Sequence, residues 1–169
     1  MYQISDHIMY GYEGVCRVEF VGHPNVPGLN REREYYLLES VRRGTQVYTP
    51  VDTKMTMRPV LSEAELNDAL SRFPSLSITD ELPSDTKSSA EYYRSTLQKL
   101  NFLQTLLLYK ALFHRQKRQM AIRKTLSTTD QRFMKQAEEL LCSEICFVRG
   151  LTLPECLTLL REKCEEETD

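Results

Sequence analysis

Gly11 and Gly14 stand three residues apart between two short alternating runs, and this arrangement constrains the fold more than any other feature of the chain. Upstream, Ile8 and Tyr10 alternate with polar or flexible neighbours. Downstream, Val15-Cys16-Arg17-Val18-Glu19-Phe20-Val21 returns with near-alternating polarity. The pattern predicts strand, glycine turn, strand, with a turn backbone at positive φ. Ser5-Asp6 supplies a turn just ahead of it. A small curled β-barrel that opens on such a hairpin is a protein-docking module far more often than an enzyme core.

The next stretch continues in the same style. Residues 22–30 (Gly22-His23-Pro24-Asn25-Val26-Pro27-Gly28-Leu29-Asn30) hold two prolines and two glycines, which excludes regular structure. Residues 31–41 read as a strand around Tyr35-Tyr36-Leu37-Leu38. Arg42-Arg43-Gly44-Thr45 is a hairpin turn, and residues 46–51 return. Pro50 cannot donate to a ladder, so its end of that strand lies at an edge or bulge. Five or six short strands with tight turns indicate a barrel of Tudor or SH3 type over residues 1–60.

From residue 61 the period changes. Ser62-Glu63-Ala64-Glu65 is a capping box opening a helix over 62–73. Residues 74–88, with two prolines and several Ser and Asp, read as a linker. The expected bundle spans 89–166. One helix covers 91–100. A second covers about 102–124, with Phe102, Leu106, Tyr109 and Phe113 as a buried stripe. A third, capped by Ser127-Thr128-Thr129-Asp130, runs to about 148, where Gly150 stops it. A fourth, capped by Thr152-Leu153-Pro154-Glu155, frays into the acidic end. The fold class is therefore α+β, a small Tudor/SH3-like β-barrel at residues 1–60 followed by an all-helical domain at 61–169.

Composition narrows the function. At 41% apolar and 27% charged the chain is ordinary globular protein. It has no run of about 18 apolar residues, which argues against a membrane span. No basic-then-apolar leader opens it, so a cytoplasmic location is expected. The five cysteines (Cys16, Cys142, Cys146, Cys156, Cys164) are read as thiols behaving as small buried hydrophobes. Cys142 and Cys146 share a helical face, but a metal would need two more ligands and the histidines are scattered. There is no Gly-rich phosphate loop and no Gly-x-Ser-x-Gly. Asp6 and His7 point to opposite faces of a strand, and Glu138-Glu139 is a solvated helix pair. No enzyme, cofactor, metal or small-molecule substrate is expected.

The net charge of −2 hides an asymmetry. Residues 92–129 contain eight basic residues (Arg94, Lys99, Lys110, Arg115, Lys117, Arg118, Arg123, Lys124) and no acidic one, whereas Glu165-Glu166-Glu167-Thr168-Asp169 is acidic. A basic block in a near-neutral chain suggests one polyanion-facing surface. A solvated helix face is the plainer alternative. Lys110, His114, Lys117 and Arg118 would lie beside the apolar stripe, so a buried core and a basic outer face are compatible there.

The motifs in this order resemble the CarD family of bacterial transcription regulators, whose N-terminal module also occurs in the transcription-repair coupling factor. The family opening, of the form F-x-x-G-D-x-V-V-Y-P-x-x-G-V-G, stands here as Ile4-Ser5-Asp6-His7-Ile8-Met9-Tyr10-Gly11-Tyr12-Glu13-Gly14-Val15-Cys16. A later P-V…G-x-R stands as Pro50-Val51…Met57-Arg58. In the helical half, Leu97-Gln98-Lys99-Leu100 resembles the end of the family's first C-terminal helix. Leu126-Ser127-Thr128-Thr129-Asp130, with Met134, Ala137, Leu140-Leu141 and Glu144, resembles its L-S-x-x-E…A-x-x-L-L-x-x-E helix.

The resemblance implies binding to the RNA polymerase β subunit by strand-edge augmentation. It also implies promoter DNA contact by the helical part, stabilising the open complex. The implied polymerase-binding residues are Leu37, Glu39, Val47, Tyr48 and Pro50. Leu37 and Val47 could equally be barrel core, and an exposed Tyr48 beside an edge Pro50 is the better contact. The implied DNA-binding residues are Ser89, Tyr92, Arg94, Lys99, Lys110, Arg115, Lys117 and Arg118. The family commonly places a tryptophan and an Arg-Arg pair early in the first C-terminal helix. This chain has no tryptophan, and the matching positions are Ser89 and Glu91-Tyr92. Tyr92 or Tyr93 could stack on a base instead, although Tyr93 reads equally as core. A competing expectation is an adaptor whose helical part binds a second protein and not DNA.

Overall fold

The computed structural model describes residues 1–77 and 82–166, and the chain divides into two compact units, Met1–Val60 and Leu61–Asp169. Part of the expected 74–88 linker (78–81) and the end of the acidic tail (167–169) lie outside the described residues.

The first unit is a five-stranded antiparallel sheet. Its strands are β1 (His7–Tyr10), β2 (Gly14–Gly22), β3 (Tyr35–Ser40), β4 (Gln46–Pro50) and β5 (Met57–Pro59), in the order β4-β3-β2-β1-β5. The β1–β2 turn is a 3-10 loop, Gly11–Glu13, with Tyr10 opposite Gly14. Gly11 has φ +46° and Gly14 φ +76°. A Cβ on Gly11 would also lie 2.7 Å from Cε of exposed Met55, which the flexible methionine can relieve, so the positive φ is what favours glycine there. Alternation then buries one face. Ile8, Tyr10, Cys16, Val18, Tyr36 and Leu38 form the sheet core, with Tyr2, Val21, Val47, Val51 and Met57 packed against it. A bulge between Val18 and Phe20 bends β2. Tyr10 on β1 and Thr49 on β4 belong to strands that are not neighbours, yet their hydroxyls meet at 3.1 Å in the buried interior. The sheet therefore curls on itself. β3 begins at Tyr35, four residues later than the periodicity suggested. Residues 31–34 form turn and irregular chain, in which the Arg33 backbone N–H donates to Asn30 O.

The second unit is helical: α1 (Glu63–Arg72), α2 (Thr86–Gln98), α3 (Phe102–Ala121), α4 (Thr128–Arg149) and α5 (Leu153–Glu165). The capping signals act as expected. Ser62 and Glu65 exchange side-chain and backbone bonds at the start of α1, and Thr152 and Glu155 do the same at α5. Gly150 closes α4 in the left-handed conformation. Phe102, Leu106, Tyr109 and Phe113 are buried along α3, facing a core with Leu97, Phe133, Ala137, Leu141, Ile145 and Leu160. Truncating one such leucine to alanine costs about 2–5 kcal/mol.

Two boundaries differ from expectation. α2 starts at Thr86, not residue 91, because the Asp85 carboxylate accepts from the Ser88 backbone N–H and caps it. The Ser-rich opening of α2 has no apolar period, so it reads as linker. α3 ends at Ala121 rather than residue 124, with Arg123 at φ +58° in the turn that follows.

Candidate functional site

β4 is an outer strand, and its hydrogen-bond parity can be read from both ends of the β3–β4 ladder. The Ser40 backbone N–H donates to Thr45 O (2.8 Å) and the Val51 N–H to Glu34 O (3.0 Å). In an antiparallel pair bonded and non-bonded positions alternate, so Val47 and Thr49 point their backbone groups at β3. Gln46, Tyr48 and Pro50 point theirs outward. Pro50 thus costs the ladder nothing, since its missing N–H lies on the unpaired side. The outward edge offers N–H and C=O groups at Gln46 and Tyr48, and a C=O alone at Pro50. β5, the other outer strand, has three residues. Val60 N–H donates to His7 O, so Met57 and Pro59 face outward there. A single N–H, that of Met57, is the donor capacity of that edge. β4 is the stronger edge for adding a strand.

The register also sorts the side chains. Leu37 lies opposite Tyr48 and Phe20 opposite Leu37, so these three form a half-buried row across β2, β3 and β4 on the face away from the core. Glu39 lies between Arg17 and Gln46 in the next row, and its carboxylate accepts from Gln46 Nε2 at 2.9 Å. Leu37, Glu39, Tyr48 and Pro50 are therefore brought together, with Tyr48 half-buried rather than exposed. Val47 pairs with core Leu38 and packs on the core, as one of its two readings had it, so its side chain lies on the opposite face from Tyr48. Phe20 belongs to the row and was not foreseen. Only the β2 bulge, invisible in the alternation, turns it to that side.

In the helical unit, three of the eight residues expected at DNA are used inside, and a fourth is paired at the surface. Ser89 is buried, and its hydroxyl donates to Pro83 O at 2.8 Å. Lys110 is buried; its Nζ donates to Pro74 O and Leu76 O, both 3.3 Å, and lies 5.1 Å from the centre of the Phe73 ring. Arg115 pairs with buried Asp130 at 3.0 Å and donates to Leu82 O and Pro83 O. Tyr93 donates to the same Asp130 at 2.7 Å, and burial followed by that carboxylate pushes its phenol pKa upward. Tyr93 is core, as one of its two readings held. Lys117 is exposed but donates to Glu165 at 2.6 Å, so the basic block and the acidic end meet.

Tyr92, Arg94, Lys99 and Arg118 are exposed. Arg123 and Lys124 join them just beyond α3, beside exposed Met120 and Ile122. Arg123 and Lys124 belong to the basic block of the sequence but stand outside the set expected at DNA. His114 sits among the cations of α3. Burial, then Lys110, Lys117 and Arg118, hold its pKa below the ordinary 6.5.

Among the described residues no group of His, Cys, Asp and Glu is placed to hold a metal ion, and no helix is long and apolar enough to cross a membrane. None of the curated proteins compared matches the chain. The family model that does match, the CarD-like/TRCF RID domain, covers residues 2–61, which is the five-stranded unit with its open β4 edge. The N-terminal unit of this chain belongs to the CarD-like/TRCF RID domain family.

Proposed function

We propose that this chain is a bacterial transcription regulator that docks on RNA polymerase by accepting a strand of the β subunit against β4. The domain family is one of RNA polymerase-interacting, protein-binding modules and is not known as catalytic, which supports the polymerase as partner. The observation that carries the reading is the outward N–H and C=O groups of Gln46 and Tyr48, the longer of the two edges. The curl that brings Tyr10 to Thr49 fits a Tudor-like barrel with one open rim. An added strand would lay its alternate side chains beside Tyr48 on one face and Val47 on the other. Tyr48, backed by Leu37 and Phe20, is the anchor.

In the same reading the helical unit touches promoter DNA through Arg94, Lys99, Arg118, Arg123 and Lys124. Such contacts supply affinity and salt dependence with little sequence selectivity. The regulator then stabilises the open promoter complex by its higher affinity for that state over the closed one. A retention assay with purified polymerase core, followed by open-complex lifetime with and without the protein, tests both halves. Retention abolished by Tyr48→Glu supports the docking edge; retention unchanged refutes it.

One observation favours the adaptor reading, in which the helical unit holds a second protein. Ser89, Lys110, Arg115 and Lys117, four of the eight expected DNA residues, are buried or paired. A gel shift of promoter DNA that weakens steeply with salt rules the adaptor out; no shift at low salt rules it in.

A further inference from the structure

We propose that Cys142 and Cys156 are a modification site, a dithiol that small-molecule disulfides oxidise to an intrachain disulfide joining α4 to α5, with Cys146 as the entry thiol. The two Sγ atoms stand 3.0 Å apart in the helical core. Both side chains are fully enclosed, at 1% and 0% exposure. The two helices already hold the sulfurs in contact, so closing the bond to about 2.05 Å asks for a shift of about 1 Å between them. Cys16 and Cys164 are buried free thiols as well.

Burial alone would keep such a pair inert. No oxidant reaches it directly, and its own surroundings, the Cys142 thiol first and then burial, push the Cys156 pKa far upward. Cys146 supplies the missing access. It lies one turn beyond Cys142 on α4, is half-buried rather than enclosed, and donates to Thr152 O at 3.7 Å in the α4–α5 connection. It is also among the neighbours that push the Cys156 thiol pKa upward, which places it close to that sulfur. The three sulfurs thus form a path from the surface to the interior.

The exchange balances with glutathione disulfide as oxidant. The Cys146 thiolate attacks it, giving a Cys146–glutathione mixed disulfide and one glutathione thiolate. Cys156 attacks the Cys146 sulfur as its proton passes to a glutathione thiolate, forming a Cys146–Cys156 bond and releasing the second glutathione. Cys142, deprotonated, attacks the Cys156 sulfur, forming the Cys142–Cys156 bond and returning Cys146 as a thiolate. Two protein thiols are oxidised and one glutathione disulfide is reduced to two glutathiones, which take up the two protons.

The test incubates the full chain with glutathione disulfide under native conditions, alkylates the remaining thiols and maps the peptides by mass spectrometry. Wild type should lose two of its five thiols and yield a cross-linked pair of peptides containing Cys142 and Cys156. Cys146→Ser, a change at the least buried of the three sulfurs, should form the same cross-link at least about tenfold more slowly. Cys156→Ala should form no such link while keeping its helical circular dichroism. All five thiols surviving in folded protein, after a dithiothreitol control has been fully oxidised, would overturn the proposal. So would a cross-link through Cys16 or Cys164. An unchanged rate in Cys146→Ser would overturn the relay.

Discussion

Arg115 on α3 and Asp130 in the first turn of α4 form an ion pair at 3.0 Å, with side-chain exposures of 19% and 6%. A cation that the sequence offers to DNA is thereby spent on the interior. The same guanidinium also ties down Leu82 O and Pro83 O, where the chain enters α2, and Ser89 holds Pro83 from the other side.

Removing one partner strands the other charge in a low-dielectric site. Arg115→Met is expected to destabilise the helical unit by about 3–5 kcal/mol, against less than about 1 kcal/mol for exposed Arg118→Met. Urea unfolding followed by circular dichroism checks the pair. Equal effects of the two changes would show that Arg115 is not structural.

The edge of β4 makes a backbone prediction. Gln46→Pro deletes an outward N–H and leaves the β3 ladder intact, so the sheet should keep its fold. Polymerase retention should fall by about tenfold, the worth of one hydrogen bond and its strand order. Val47→Pro deletes an inward N–H and should unfold the sheet unit instead. If both variants fold and bind alike, the parity assignment is wrong.

Side chains of the outer row should rank by their place in it. Tyr48→Ala is expected to cost polymerase binding about 2 kcal/mol or more, and Leu37→Ala and Phe20→Ala less, through lost support of the ring. Val47→Ala should act on thermal stability rather than on the affinity of the folded protein. Titration calorimetry alongside thermal melts separates the two.

For DNA, the exposed cations predict a salt signature. Each of Arg118, Arg123 and Lys124 changed to Gln should lower the slope of log K against log salt by about 0.9 per lost phosphate contact. Lys110→Gln should change the melting temperature of the helical unit and leave the slope of the folded fraction unaltered.

His114 gives the helical unit a pH dependence. Its pKa in the fold is below the 6.5 of an unperturbed imidazole, so the unfolded chain binds its proton first. Stability should be level above that value and fall as pH drops through 6.5 toward the lower folded-state pKa. His114→Gln should flatten that limb in melts taken across the range.

Much of this architecture was legible in the residues. The Gly11/Gly14 turn, the Ser62 and Thr152 capping boxes and the α3 stripe are local chemistry, decided within a few positions of themselves. The family match likewise covers residues 2–61, where the strand and turn motifs lie. What escaped depends on distant neighbours. A lysine on a helix reads as solvated until carbonyls of Pro74 and Leu76 arrive to accept from it, as they do at Lys110. Phe20 reads as inward or outward depending on a bulge that only the β3 register reveals. Val47 and Tyr48 are adjacent letters with similar apolar character, and pairing with Leu38 and Leu37 is what separates them.

The alternation along β4 makes its rim a ruler. A visiting strand finds a donor at the first and third rungs and none at the fifth, where the pyrrolidine ring of Pro50 stands. Sliding by two rungs would set one of its carbonyls against that ring, and sliding by one would swap its two faces. A single alignment satisfies the visitor, so a grip only a few residues long can still fix how the sheet unit is held.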